Sequence, residues 1–121
     1  MKILTEEEFK ILPKDQQTGC IHLNEGFFWY KEGELHRDDG PAVEYYNGSK
    51  FWYKEGYLHR NDGPACEYYD GGKVWCKKGV RHRDNGPAAE WANGKIEYWL
   101  WCKEYSYNEW YAIVNGLEKF R

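Results

Sequence analysis

Leu35-His36-Arg37-Asp38-Asp39-Gly40-Pro41-Ala42 returns 23 residues later as Leu58-His59-Arg60-Asn61-Asp62-Gly63-Pro64-Ala65, and after a further 23 as Arg81-His82-Arg83-Asp84-Asn85-Gly86-Pro87-Ala88. Self-similarity at a fixed period is the mark of a repeat architecture, in which one small unit is copied along the chain. Two further columns keep step. One is Trp29-Tyr30-Lys31, Trp52-Tyr53-Lys54, Trp75-Cys76-Lys77 and Trp101-Cys102-Lys103. Its last interval is 26 residues, which predicts three inserted residues in the final unit. The other column is Glu44-Tyr45-Tyr46, Glu67-Tyr68-Tyr69 and Glu90-Trp91-Ala92. About three full units and two partial ones cover residues 19–103.

Each unit reads as strand, turn, short strand, turn, strand, turn. Phe27 to Lys31 is rich in aromatics and suits a strand. Glu32-Gly33 follows as a turn, glycine being free to take positive φ. Leu35-His36-Arg37 is a second, short strand, and Asp38-Asp39-Gly40-Pro41 breaks it, because proline cannot donate to a ladder. Val43 to Tyr46 is the next strand. Asn47-Gly48, Asp70-Gly71 and Asn93-Gly94 are hairpin signals. Consecutive hairpins build an antiparallel sheet that grows along one axis. One unit cannot bury its own rings, so stacked units are expected to lay Trp29, Trp52 and Trp75 in one ladder and Tyr45, Tyr68 and Trp91 in another.

Such a ribbon exposes a strand edge at each end, which invites aggregation unless covered. Thr5-Glu6-Glu7-Glu8 is a capping box, with Leu4 and Phe9 at staple positions and Pro13 beyond the helix. Ser106-Tyr107-Asn108-Glu109 repeats the device with Tyr105 and Trp110. Trp110, Ile113, Val114 and Leu117 then form one apolar stripe at helical spacing, read as packing on the last hairpin or, alternatively, as a partner face. The expected fold is mainly β: tandem β-hairpin repeats in an elongated antiparallel sheet with short capping helices at both ends. The expected organisation is a single domain over 1–121, with an N-terminal cap at 1–18, repeats at 19–103 and a C-terminal helix at 104–121.

The bulk numbers agree. A length of 121 residues suits one domain. Aromatics are 19% of the chain, led by 11 Tyr and 7 Trp, so rings must supply most of the burial and the low mean hydropathy of −0.96 does not signal disorder. A net charge of −3 argues against polyanion binding through bulk charge. No apolar run is long enough to span a membrane and Met1 to Glu8 has no signal-peptide core, so the expected compartment is the cytosol. There Cys20, Cys66, Cys76 and Cys102, which show no CxxC spacing, are expected as free thiols.

The period, the order aromatic, Gly, His, Gly-Pro, aromatic, and the Asn-Gly or Asp-Gly turns together resemble the MORN repeat. The segment Phe51-Trp52-Tyr53-Lys54-Glu55-Gly56-Tyr57-Leu58-His59-Arg60-Asn61-Asp62-Gly63-Pro64-Ala65 matches that unit along most of its length. MORN units usually place glycine after the histidine, where this chain has Arg37, Arg60 or Arg83. It looks more like a divergent branch common in bacterial and phage proteins. The resemblance implies a scaffold or protein-binding ribbon. Read with the small size, it also implies a phage-encoded inhibitor of a host or defence complex, anti-CRISPR proteins included, working in the host cytoplasm. Lipid binding is claimed for some MORN proteins, and the acidic balance argues against it here.

The candidate partner-binding residues are Trp29, Arg37, Trp52, His59, Arg60, Trp75 and Arg83. Three regularly spaced guanidiniums suit phosphates or carboxylates on a partner, and Trp and Tyr rows beside Arg have hot-spot composition. The competing structural reading pairs each Arg with a nearby carboxylate such as Glu44 or Asp39 and gives each His a fixed slot in the unit. A residue needed by the fold must recur in every unit, whereas a catalytic one need occur only once. Equivalent histidines, separated by intervening strands of about 4.8 Å, are too far apart to share an ion. The only aliphatic hydroxyls are Thr5, Thr18, Ser49 and Ser106, and no GxSxG, HExxH, P-loop or dinucleotide fingerprint is present. The reading is therefore no enzyme, no catalytic residue, no metal and no cofactor. A protein partner ranks above nucleic acid. A sponge for a small anion such as a signalling nucleotide, or a purely structural or oligomerising ribbon, stand as alternatives.

Overall fold

A computed structural model describes residues 3–117, so the first two residues of the expected cap and the last four of the expected C-terminal helix segment lie outside it. In chain order the elements are β1 (Ile3–Leu4), α1 (Glu6–Lys10), β2 (Gly19–Leu23), β3 (Gly26–Lys31), β4 (Glu34–Leu35), β5 (Val43–Tyr45), β6 (Lys50–Phe51), β7 (Tyr53–Lys54) and β8 (Tyr57–Leu58). They continue as β9 (Cys66–Glu67), β10 (Lys73–Val74), β11 (Cys76–Lys77), β12 (Val80–Arg81), β13 (Ala89–Glu90), β14 (Ile96–Leu100), β15 (Lys103–Tyr105) and α2 (Tyr107–Val114). The main sheet runs β1-β2-β3-β5-β6-β9-β10-β13-β14-β15, in sequence order throughout. All its pairings are antiparallel except β1 on β2. The protein is thus the expected mainly-β hairpin-repeat sheet with a short helix near each end.

Two turns per unit explain why the sequence takes this path. At Asn47, Asp70 and Asn93 the side-chain oxygen accepts the backbone N–H two residues on, at 2.9–3.0 Å, and the next residue is a glycine at φ 97, 96 or 89°. An Asx side chain closes the turn and a glycine supplies its left-handed residue. The other turn uses Glu32-Gly33, Glu55-Gly56 and Lys78-Gly79, with both residues at positive φ, near 50° and 81–84°. Two consecutive positive φ values match the right-handed twist of the flanking strands.

Between the turns each unit bends at its tryptophan. The Trp52 N–H donates to the Ala65 carbonyl at 2.8 Å and the Trp52 carbonyl accepts from His59 N–H at 3.0 Å. One side of the residue is therefore tied to the main sheet and the other to the β7–β8 hairpin. Trp29 and Trp75 repeat both bonds with Ala42 and His36, and with Ala88 and His82. Successive hairpins are also joined to each other, Arg37 N–H to the Tyr53 carbonyl at 3.2 Å and Gly56 N–H to the Leu35 carbonyl at 2.9 Å, with the same bonds one unit on.

The pleat sorts side chains onto two faces. Register aligns Phe28, Val43, Phe51, Cys66, Val74, Ala89 and Glu97 on one of them. With the fully buried Ala65, with Cys76 and with the flanking Leu58, Tyr68 and Trp91, most of this row makes the core. Rings run through it as Phe28–Tyr45–Phe51–Tyr68–Trp91, with centroids 5.5–5.9 Å apart. The expected tyrosine ladder is therefore interleaved with phenylalanine. Among the described residues no ring contact joins Trp29 to Trp52 or Trp52 to Trp75, because a whole strand lies between them and an arginine covers each. On the opposite face Glu44, Lys50, Glu67, Lys73 and Glu90 alternate in sign across five consecutive strands. Opposite charges in register favour this pairing over a one-residue slip.

The last unit corrects the sequence reading. Trp101 and Cys102 have φ of 47 and 74° and stand 23 residues after Lys78 and Gly79. Trp99 takes the place of Tyr53 and Cys76, its carbonyl accepting from Arg83 N–H. Tyr98, not Trp101, occupies the column of Trp29, Trp52 and Trp75, so the 23-residue period holds and nothing is inserted. Where earlier units carry a His-Arg loop, this one carries α2. Trp110 of that helix packs on Tyr98 at 4.8 Å and donates its Nε1–H to the Arg83 carbonyl. Both helices begin with the expected capping boxes, at Thr5 with Glu8 and at Ser106 with Glu109. Phe9 of α1 is buried against Tyr30.

Candidate binding face

The predicted Trp and Arg residues meet within units. Arg37 lies 4.0 Å over Trp29, Arg60 3.8 Å over Trp52, and Arg83 3.9 Å over Trp75. Each guanidinium is also held by its own loop. Arg60 donates from Nε to Asp62 at 3.1 Å and from Nη1 to the Pro64 carbonyl at 3.1 Å and Glu67 at 2.9 Å. Arg37 does the same with Asp39, Pro41 and Glu44, and Arg83 with Asn85, Pro87 and Glu90. The glycine of each loop sits against the guanidinium: a Cβ on Gly63 would stand 2.9 Å from the Arg60 Cζ. Gly-Pro follows the Asp/Asn pair because the loop must wrap an arginine closely. The structural reading of the Arg column thus has its partners, with Glu44 and Asp39 among them.

The histidines fill a fixed slot between units. The Nδ1 atoms of His36, His59 and His82 accept the backbone N–H of Glu55, Lys78 and Trp101 at 2.9–3.0 Å. Those donors are the left-handed turn residues of the next unit, whose N–H groups point out of any ladder. At the N-terminal end, where no earlier loop exists, the Thr18 hydroxyl accepts from Glu32 N–H instead. An accepting Nδ1 requires the tautomer with its proton on Nε2. His36 Nε2 is engaged by Asp38 at 3.0 Å. His82 is buried, with Trp101 stacked on its ring at 3.8 Å. Burial holds its pKa below the ordinary imidazole value, helped by the Lys77 charge and opposed by Asp84.

Between successive loops the surface opens into grooves. The first, about 630 Å³, is floored by Trp52 and Lys54 and walled by Asp38, Asp39, His59 and Arg60. The second, about 450 Å³, has Trp75, Lys77, Asn61, Asp62, His82, Arg83 and Asp84 in its lining. Beside them on the same sheet face Tyr46 and Tyr69 stand out, 60 and 70% exposed. Tyr46 is anchored through its hydroxyl to His22 Nε2 and packs edge-on to Phe27 at 5.9 Å.

Sequence reading missed Glu97. Its carboxylate accepts from Trp91 Nε1 and Trp99 Nε1, both at 2.8 Å, and from Arg81 at 3.1 Å. Burial pushes its pKa up, but these N–H bonds and the Arg81 and Lys95 charges outweigh it and hold the carboxyl below its ordinary range. Glu97 ends the core row where the aliphatic residues stop, and neighbouring Trp-x-x-x-x-x-Glu-x-Trp spacing was its only trace in the sequence. Cys66 and Cys76 are free thiols in the core, and the hydrogen bond that the Cys66 thiol donates to the Cys76 sulfur, with burial, raises the Cys66 pKa. Among the described residues no three His, Cys, Asp or Glu side chains are grouped to hold a metal ion, and no helix is long and apolar enough to cross a membrane. No protein-family model matches the chain, and no curated protein or solved structure is detectably similar to it.

Proposed function

We propose that the chain is a non-catalytic binding ribbon that docks on a protein partner through the sheet face carrying Tyr46 and Tyr69. The observation that carries this reading is the exposure of those two rings, 60 and 70%, one unit apart on a face whose other features recur with the same period. Exposed tyrosines offer large contact area at small entropic cost. Lys50 lies on the same face between them and Lys73 just beyond Tyr69. In this reading the Trp29–Arg37, Trp52–Arg60 and Trp75–Arg83 pairs, with His59, hold the loops rigid, and the loops border the docking strip. The resemblance to MORN-like phage and bacterial repeats extends the proposal to a partner in a host or defence complex, met in the cytosol, where thiols stay reduced.

The test is affinity capture from bacterial lysate with tagged wild type beside a Tyr46→Ser, Tyr69→Ser double variant. Tyr69 is exposed and Tyr46 gives up only surface contacts to His22 and Phe27, so the variant is expected to keep the fold, which circular dichroism checks. A stoichiometric partner retained by wild type and lost by the variant supports the reading. A partner held equally by both, or none at all, refutes it.

A further inference from the structure

The second groove differs from the first in ways that bear on anions. Asn61 stands there in the column of Asp38, and Asn85 in the column of Asp39 and Asp62. Arg83 consequently bonds a neutral amide through Nε, and its contact to Glu90 is 3.4 Å where the other two units have 2.9 Å. Its charge is the least neutralised of the three. Lys77, half-buried on the groove floor, has no carboxylate at ion-pair distance among the described residues. His82 is 6% exposed, its ring clamped by Trp101 and by the bond from Trp101 N–H to Nδ1. Its Nε2–H therefore has a fixed direction. Among the described residues no buried side-chain nitrogen or oxygen lacks a partner, and Nε2 has no protein partner, so it opens into the groove that His82 lines.

We propose that this groove is a binding site for a small oxyanion, a phosphate or a carboxylate, held by His82 Nε2–H, the Lys77 ammonium and the Arg83 guanidinium. Three donors of different geometry, two of them charged and one preorganised by burial, line a space of about 450 Å³. Asp62 and Asp84, which line the same groove, oppose the anion and set its affinity. The first groove, lined by three carboxylates, Asp38, Asp39 and Asp62, against two in the second, does not share the preference. The groove lies beside the docking strip on the same face, but anion binding does not rest on that reading and is measured with no protein partner present.

The experiment is an NMR titration of the labelled protein with inorganic phosphate and, separately, acetate, at ionic strength held constant with chloride. The expected result is a saturable shift of His82 Nε2 and of the Lys77 and Trp101 amides. Lys77→Met weakens binding about tenfold or more, as loss of one charge-assisted bond requires. Lys54→Met, the matching change in the first groove, leaves it unaltered, and Asp84→Asn strengthens it several-fold. Saturation by phosphate alone, acetate alone or both assigns the anion class. Shifts that fail to saturate with either anion, or that survive Lys77→Met and ignore Asp84→Asn, overturn the proposal.

Discussion

Arg60 bonds three groups of its own loop and covers Trp52, and each contact has its counterpart at Arg37 and Arg83. Most of the energy lies in the part-buried bonds to the Pro64 carbonyl and Glu67, since Asp62 is exposed and screened. Arg60→Ala is expected to cost about 2–3 kcal/mol. Arg60→Lys recovers little of it, because an ammonium cannot serve three acceptors and stack at once. Urea denaturation of the two variants checks this: recovery of most of the loss by lysine contradicts the fork geometry. His82 makes a second prediction. Its folded-state pKa is depressed, so the unfolded chain binds the proton more readily. The contribution is complete above the ordinary pKa of about 6.5 and is lost as pH falls from there through the folded-state value. The Tm of the wild type should therefore drop more steeply between pH 7 and 5 than that of His82→Asn, which keeps an acceptor but does not titrate. Equal slopes would contradict it.

Turns decide the register of the hairpins, and here the sequence was legible only in part. The Asn-Gly and Asp-Gly turns announced themselves, since the side chain and the glycine each have one job there. The last unit did not. Trp101-Cys102-Lys103 copies the letters of Trp75-Cys76-Lys77, while the physical column is set by the left-handed backbone and by His82 reaching 19 residues ahead. Identity matched one column and conformation another. Cys102 consequently occupies a glycine position at φ 74°. Cys102→Gly should stabilise the protein by about 0.5–1 kcal/mol, whereas Gly56→Ala at φ 83°, with the Glu34 carboxylate 2.8 Å from the new Cβ, should destabilise it by about 1–2 kcal/mol. Chemical denaturation of both reads the signs, and a destabilising Cys102→Gly would refute the corrected alignment. Arginine roles lay between these cases: repetition favoured a structural use, but only the loop geometry shows which carboxylates each guanidinium meets.

At the scale of the molecule, strands follow sequence order from β1 to β15, so each unit touches chiefly its neighbours and the ends carry the whole edge problem. The sequence showed that caps were needed and where they start, through two capping boxes. It did not show that α2 substitutes for a His-Arg loop by placing Trp110 on Tyr98. Removing residues 106–121 should expose Tyr98 and the β15 edge and drive self-association, visible by sedimentation velocity; a monomer as stable as the full chain would refute capping.

Four units follow one unbroken 23-residue period, clamped by a histidine Nδ1 from each unit to the next. Scalar couplings across hydrogen bonds between backbone and imidazole nitrogens test it most directly in uniformly ¹⁵N-labelled protein. Three cross-peaks are expected above neutral pH, joining the amides of Glu55, Lys78 and Trp101 to Nδ1 of His36, His59 and His82. Peaks for Glu55 and Lys78 without one for Trp101 would break the period at the fourth unit, and absence of all three would contradict the clamp itself.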